Sequence, residues 1–221
     1  KSMKWSNYDL NWGRPLRSII ALFGNKLINF NLHHLKSDNF TFLGEASEEK
    51  IKKVNNYNSY NSALKSKNIV LNHDKRKEII LKKFKTICDS KNFENNFNEK
   101  LVEEVVNLVE NPNIIICKFN EIYLKIPKEI LIITMQKHQR YFPLFEKDKK
   151  LSNSFLLVSN MIDTKGYIKK GNQKVIEARF SDASFFWNKN KKQNLVKQVS
   201  KLKNLSFFNQ LGTFYDRTQR L

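Results

Sequence analysis

The chain has 221 residues, 40% of them hydrophobic and 12% aromatic, which is enough apolar material for one large domain, or for one domain and the start of another. Its 40 Lys and Arg against 21 Asp and Glu leave a formal charge of +19, a balance that attracts polyanions through steering and counterion release and points to nucleic acid. The two cysteines, Cys88 and Cys117, show neither CxxC spacing nor clustered histidines, and no apolar run nears the roughly 20 residues of a membrane span, so a disulfide scaffold, a zinc site, a signal peptide and a membrane helix are all excluded and a cytoplasmic protein is expected.

In chain order, RPLRSIIALF (Arg14 to Phe23) before Gly24 predicts a short buried helix closed by a glycine cap. The alternating KLINFNLHHL (Lys26 to Leu35) reads as a strand with His33 and His34 on opposite faces, unable to share a metal. NNYNSYNSALKS (Asn55 to Ser66) is polar and low in complexity, a surface loop or a weak helix start, and receives no function. HDKRKEIILKKFKTICDS (His73 to Ser90) predicts a basic amphipathic helix with Ile79, Ile80, Phe84 and Ile87 on one side, its lysines forming an ordinary solvated face. In LVEEVVNLVE (Leu101 to Glu110), Val102, Val105, Val106 and Val109 recur at helical spacing, and with Glu99 four carboxylates lie opposite, so this element turns away from RNA.

IIICKF and EIYLKI flank Asn120 and Glu121 as a hairpin or two short strands, and Pro127 with Glu129 opens a helix running towards Gln139. YFPLF and SFLLVSN, separated by EKDKK, read as a further hairpin. Gly171 and Asn172 precede a helix through Trp187, a second amphipathic helix covers Asn194 to Leu205, and GTFYDRTQRL opens another. The fold class expected is α+β (mixed α/β), a sheet with flanking helices. The chain starts at Lys1 without Met and stops inside a helix-like run, which reads as a piece of something longer.

The candidate chemistry is sparse. His138 lies beside Lys137, Arg140 and Tyr141, but it shares a predicted helical face with Leu131 and Met135, and no local carboxylate would orient it as a catalytic base, so a structural or RNA-contact role is preferred. Ile176, Phe180, Ala183 and Trp187, with Phe186 beside them, form an apolar stripe of the kind that builds a core; Arg179 and Asp182 are spaced to pair. Between Lys165 and Lys192 there are eight basic residues against two acidic ones. Lys169, Lys170, Lys174 and Arg179, helped by free backbone amides at Asn172 and Gln173, are placed to hold phosphates; simple solvation, with the lysine excess a product of AT-rich coding, is the competing reading. The candidate nucleic-acid-binding set is therefore Lys137, His138, Arg140, Lys169, Lys170, Lys174 and Arg179, with no catalytic or metal-ligating residue. Scattered single glycines give no phosphate-cradling loop for a nucleotide.

Ordered blocks along the whole chain resemble the beta subunit of bacterial glycyl-tRNA synthetase: MKW (Met3 to Trp5), WGRP (Trp12 to Pro15), LVEEVVNLVENP (Leu101 to Pro112), TMQKHQRYFPLF (Thr134 to Phe145), GNQKVIEARFSDASFFW (Gly171 to Trp187) and QLGTFYDRTQRL (Gln210 to Leu221). The resemblance implies a module like the editing domain of the phenylalanyl-tRNA synthetase beta chain over 1–190, then a linker helix and the start of a helical HD-like domain over 191–221. It implies a subunit of glycine-tRNA ligase without adenylate chemistry of its own and without a bound cofactor. In that family the alpha subunit uses ATP with magnesium, and tRNA(Gly) and an alpha2beta2 heterotetramer are the expected partners. Two positions depart from the pattern: FTFLG (Phe40 to Gly44) stands where a His-Arg pair is frequent, and Asn111 where Trp is usual. The alternatives are hydrolysis of mischarged tRNA through His138 and a purely structural docking module. Glycine, the smallest amino acid, leaves editing little to correct, because a tight pocket already excludes larger ones.

Overall fold

The computed structural model describes residues 3–4, 7–9, 11–13, 16–43 and 51–221, and it has the α+β composition expected, with small sheets and flanking helices. The chain divides into two units: Lys1–Lys85 with Val102–Ile114 and Val158–Ile162, and Thr86–Leu101 with Ile115–Leu157 and Asp163–Leu221.

Short hairpins fill the start of the first unit. Strand β1 (Met3–Lys4) pairs antiparallel with β2 (Asn11–Trp12), β4 (Leu22–Phe23) with β5 (Lys26–Leu27), and β8 (Phe40–Phe42) with β9 (Ile51–Lys53). Strand β7 (Leu35–Asp38) lies between β3 (Ile19–Ile20), to which it is parallel, and the antiparallel β6 (Asn31–Leu32). The helix expected over Arg14 to Phe23 is not formed. Arg14 and Pro15 lie outside the described residues, and the β-branched Ile19 and Ile20 enter a strand. Gly24, at φ 61, is no helix cap: with Asn25 it makes the two-residue turn between β4 and β5, where positive φ is needed at the first position.

The single strand expected over Lys26 to Leu35 is likewise broken. His33, at φ 51, and His34 form the turn joining β6 to β7, with their rings 5.3 and 5.0 Å from that of Tyr8. They do not occupy opposite faces of a strand. Buried Ser37 ties the preceding loop down, its hydroxyl donating to the Ile28 carbonyl (2.7 Å) and accepting the Phe30 amide (2.9 Å).

The low-complexity segment is helix α1 (Tyr57–Lys65), and the reason is local. Asn56 and Ser59 form a reciprocal capping box, the Ser59 amide reaching Asn56 Oδ1 at 2.9 Å and the Asn56 amide reaching Ser59 Oγ at 3.1 Å. At its other end Asn68 takes a left-handed φ of 58, so that the Asn68 amide reaches the Lys65 carbonyl (3.0 Å) and the Ile69 amide reaches that of Leu64 (3.1 Å), a Schellman closure. Ala63 and Leu64 are buried with Leu43 and Val54 in one core.

Helices α2 (His73–Lys91) and α3 (Glu99–Leu108) form as expected, with Ile80, Phe84, Val102, Val105, Val106 and Val109 buried; Ile79 and Ile87 are half-buried. Part of α2's basic face is engaged inside the first unit. Arg76 donates to the carbonyls of Val70 (2.7 Å), Leu71 (2.9 Å) and Val106 (3.1 Å), and Lys83 to that of Pro112 (2.9 Å). Lys77 pairs with Glu103 and holds that carboxyl below its ordinary value.

In the second unit β12 (Leu151–Ser159) is the centre of a three-stranded sheet between β10 (Asn113–Lys118) and β11 (Phe142–Phe145). The β11–β12 hairpin is the one expected. EIYLKI is not a strand: Glu121–Lys125 is a 3-10 turn, begun by the Asn120 side chain accepting the Ile122 amide at 3.0 Å. Helix α4 (Lys128–Ile133) continues into a π-helical turn, Thr134–His138. Helix α5 (Tyr167–Lys191) is followed by α6 (Leu195–Gln198), a 3-10 stretch (Val199–Asn204) and α7 (Phe214–Arg220). Cys117, Leu131, Met135, Tyr141, Phe155, Ile176 and Phe180 share one core, so the expected apolar stripe of α5 is packed at Ile176 and Phe180. Among the described residues no helix is long and apolar enough to cross a membrane.

Candidate nucleic-acid interface

Helix α5 begins at Tyr167, six residues before the predicted start. Its N-cap position is Gly166, at φ 71, which has no side chain to accept the first amides. Asp163 folds in from upstream instead: its Oδ1 accepts the Ile168 amide (3.1 Å) and its Oδ2 the Lys169 amide (2.8 Å). The free amides expected at Asn172 and Gln173 are therefore not at a helix end, and the amides that are at the end already hold a carboxylate. Both side chains have structural partners as well. Asn172 Nδ2 donates to the Ile168 carbonyl at 2.7 Å, and Gln173 Nε2 to that of Lys118 at 2.6 Å.

His138 is exposed, not on the buried face of Leu131 and Met135 as its spacing predicts. The π turn is the cause, because its i→i+5 bonds wind more residues into a turn and move His138 out of phase with the α-helical face. The turn ends at Arg140, in the left-handed region at φ 58, whose guanidinium donates to the Lys137 carbonyl, while the Tyr141 amide reaches back to Met135 O at 2.9 Å. Lys137 is exposed and Arg140 half-buried.

Tyr141 then joins this turn to α5, its hydroxyl donating to Asn172 Oδ1. Burial pushes the Tyr141 phenol up to about 12 and the Cys117 thiol up to about 11, so both are protonated at neutral pH and the Tyr141 donor is permanent. Lys137, His138 and Arg140 are thereby tied through one half-buried hydrogen bond to the part of α5 that carries Lys169, Lys170 and Lys174. Those three lysines and Arg179 are exposed. They do not form a single row: Lys170 and Lys174 are about one turn apart, whereas Arg179 lies a further ~140° around the axis. Arg179 and Asp182 form no ion pair.

The charge of this region is set by what its carboxylates do. Residues 163–221 hold 13 Lys and Arg and only four acids, Asp163, Glu177, Asp182 and Asp216. Three of the four accept backbone amides: Asp163 as above, Glu177 from Asn120 (3.1 Å) and Asp216 from Thr213 (2.7 Å). Their charge is directed at the backbone, and the basic side chains are exposed and in no ion pair with a described residue, Arg220 donating to the Leu211 carbonyl (3.1 Å).

Sequence reasoning missed that aromatic rings accompany these cations. Lys189 Nζ is 5.7 Å from the Phe185 ring and Lys191 Nζ 5.9 Å from that of Trp187; farther on, Lys203 lies 4.7 Å from Tyr215 and Arg217 4.5 Å from Phe207. Their i, i+4 spacing on the helix was the available signal for the first two. Phe185 and Phe186 are 61% and 57% exposed, which leaves flat apolar surface between cations. Among the described residues no group of three or more His, Cys, Asp or Glu side chains is placed to hold a metal.

The whole of this chain, residues 1–221, matches the family described as glycyl-tRNA synthetase beta subunit. The chain belongs to that family. It is similar to the glycine–tRNA ligase beta subunits of Clostridioides difficile (41% identity), Listeria welshimeri (36%) and Dictyoglomus turgidum (35%), in each case over 100% of this chain and 32% of the relative. The chain thus spans about a third of the length of the curated relatives it matches.

Within this member of the glycyl-tRNA synthetase beta family, the two blocks that carry the resemblance most clearly are also structurally coupled. TMQKHQRYFPLF runs from the π turn into β11, GNQKVIEARFSDASFFW is most of α5, and both supply residues to one core. The Tyr141–Asn172 hydrogen bond is the polar link between them.

Proposed function

We propose that this chain is a non-catalytic part of a glycine–tRNA ligase beta subunit that supports tRNA(Gly) binding and assembly in the cytoplasm, so that the alpha subunit attaches glycine using ATP and magnesium. Membership of the family supports the subunit assignment. One observation carries the RNA role: in residues 163–221 the acids are few and mostly turned onto backbone amides, leaving the 13 cations to face outward. An alpha2beta2 assembly is part of the same reading, as is a boundary near residue 190 before a helical domain.

Nothing favours hydrolysis by His138, which is exposed and has no carboxylate partner among the described residues. The test replaces Lys169, Lys170, Lys174 and Arg179 by Ala in the complete alpha–beta enzyme. Affinity for tRNA is expected to fall while ATP–pyrophosphate exchange with glycine, a reaction assigned to the alpha subunit, stays unchanged. Unaltered tRNA affinity would remove this surface from the RNA path.

A further inference from the structure

We infer that helix α1 lines a groove for single-stranded RNA in the first unit. Three depressions there are linked in series by shared lining residues. The largest, about 560 Å³, is lined by Ile20, Leu22, Asn25, Tyr57, Asn58 and Tyr60. The next, about 380 Å³, shares Tyr57 with it and continues past Asn61 to Lys65 and Lys75. The last, about 390 Å³, shares Lys65, Ile69 and Val70 with the second and reaches Asn68 and Lys83. From Tyr57 to Lys65 the groove follows α1 for about 12 Å.

Its chemistry selects the occupant. Among the described residues Lys65, Lys75 and Lys83 line it and no carboxylate does, so their charge is complementary to a phosphate backbone. Lys65 and Lys75 form no ion pair with any described residue. The Tyr57 ring is 67% exposed at the junction of two depressions, where a base stacks. The side-chain amides of Asn25, Asn58, Asn61 and Asn68 bond no described residue, and each offers both a donor and an acceptor to a base edge. An acidic peptide would be held by planar guanidinium forks, and among the described residues no Arg lines the groove; Arg76 is committed to three backbone carbonyls. Aromatic face, free amides and point charges in a recess are the set that splayed, unpaired bases require, and a duplex presents none of its base faces to them.

The test uses the full-length beta subunit in complex with the alpha subunit and a fluorescent uridine oligoribonucleotide, with a thiouridine version for crosslinking. Crosslinks are expected within residues 57–61. Tyr57→Ala, and separately Lys65→Ala with Lys75→Ala, should each weaken binding about ten-fold, with Tyr57→Phe retaining it because the ring and not the hydroxyl stacks. The Lys169, Lys170, Lys174 and Arg179 variant should keep the α1 crosslink, so that failure of the α5 surface and failure of this groove are told apart. The inference is overturned if Tyr57→Ala binds as the parent does while unfolding at the parent's midpoint, if the crosslink disappears only in the α5 variant, or if polyglutamate displaces the oligonucleotide as well as unlabelled RNA does.

Discussion

Single residues decide several turns here, and their legibility depends on whether the cue is composition or conformation. Gly24-Asn25 between LeuPhe and LysLeu is a two-residue hairpin signal that helix periodicity over the preceding residues obscured. Asn68 is a conformational cue of the same kind: it takes φ 58 to close α1, a geometry that Asn tolerates and a β-branched residue does not. Asn68→Val should lower stability by about 1–2 kcal/mol and Asn68→Gly should be nearly neutral, as read by urea denaturation. At Cys117 burial is the dominant cause. A thiol fully enclosed and raised to about 11 has almost no thiolate at neutral pH, so alkylation of the native protein should spare Cys117 while the unfolded chain reacts, as peptide mass spectrometry would show.

At the level of elements, periodic burial is what the sequence reveals and end geometry is what it conceals. The valines of α3, Ile80 and Phe84 of α2, and the Ile176–Phe180 stripe of α5 are buried where spacing predicts, because the 3.6-residue repeat directly encodes a buried face. The start of α5 was hidden because its cap lies outside the usual position: Gly166 supplies the turn and Asp163, three residues earlier, supplies the acceptor. The π turn was hidden for a related reason, since an extra residue in one turn leaves no compositional trace, and His138 was misplaced by it. Asp163→Ala should therefore cost about 1 kcal/mol and lower the hydrogen-exchange protection of the first turn of α5. A second cap is sensitive to pH. Hydrogen bonds from Thr213 hold the Asp216 carboxyl below its ordinary value of 3.8, so its contribution is complete above that value and is lost as pH falls through the lower folded-state one. The Thr213 amide resonance should move in that acid window, and in Asp216→Asn it should not.

For the molecule as a whole the question is which of the 40 basic residues act at long range and which are structural. Charge count alone does not separate compositional lysines from a polyanion surface, and the sequence left both readings open. Geometry separates them at particular residues. Arg76 satisfies three backbone carbonyls, so its removal orphans acceptors, whereas Lys170 and Lys174 stand exposed about one turn apart on α5 with no carboxylate among the described residues bonded to them. The two kinds should respond oppositely in one experiment on the complete enzyme. In a plot of log tRNA affinity against log salt, Lys170→Ala and Lys174→Ala should each reduce the slope by about one if they touch phosphate, with the unfolding midpoint unchanged. Arg76→Ala removes the same charge but should leave the slope alone and lower stability by about 1–3 kcal/mol, because its loss is felt by the backbone carbonyls it satisfies and not by released counterions. Equal slopes for all three variants would mean that the charge excess acts only as a diffuse field, and the α5 contact surface would then have to be abandoned.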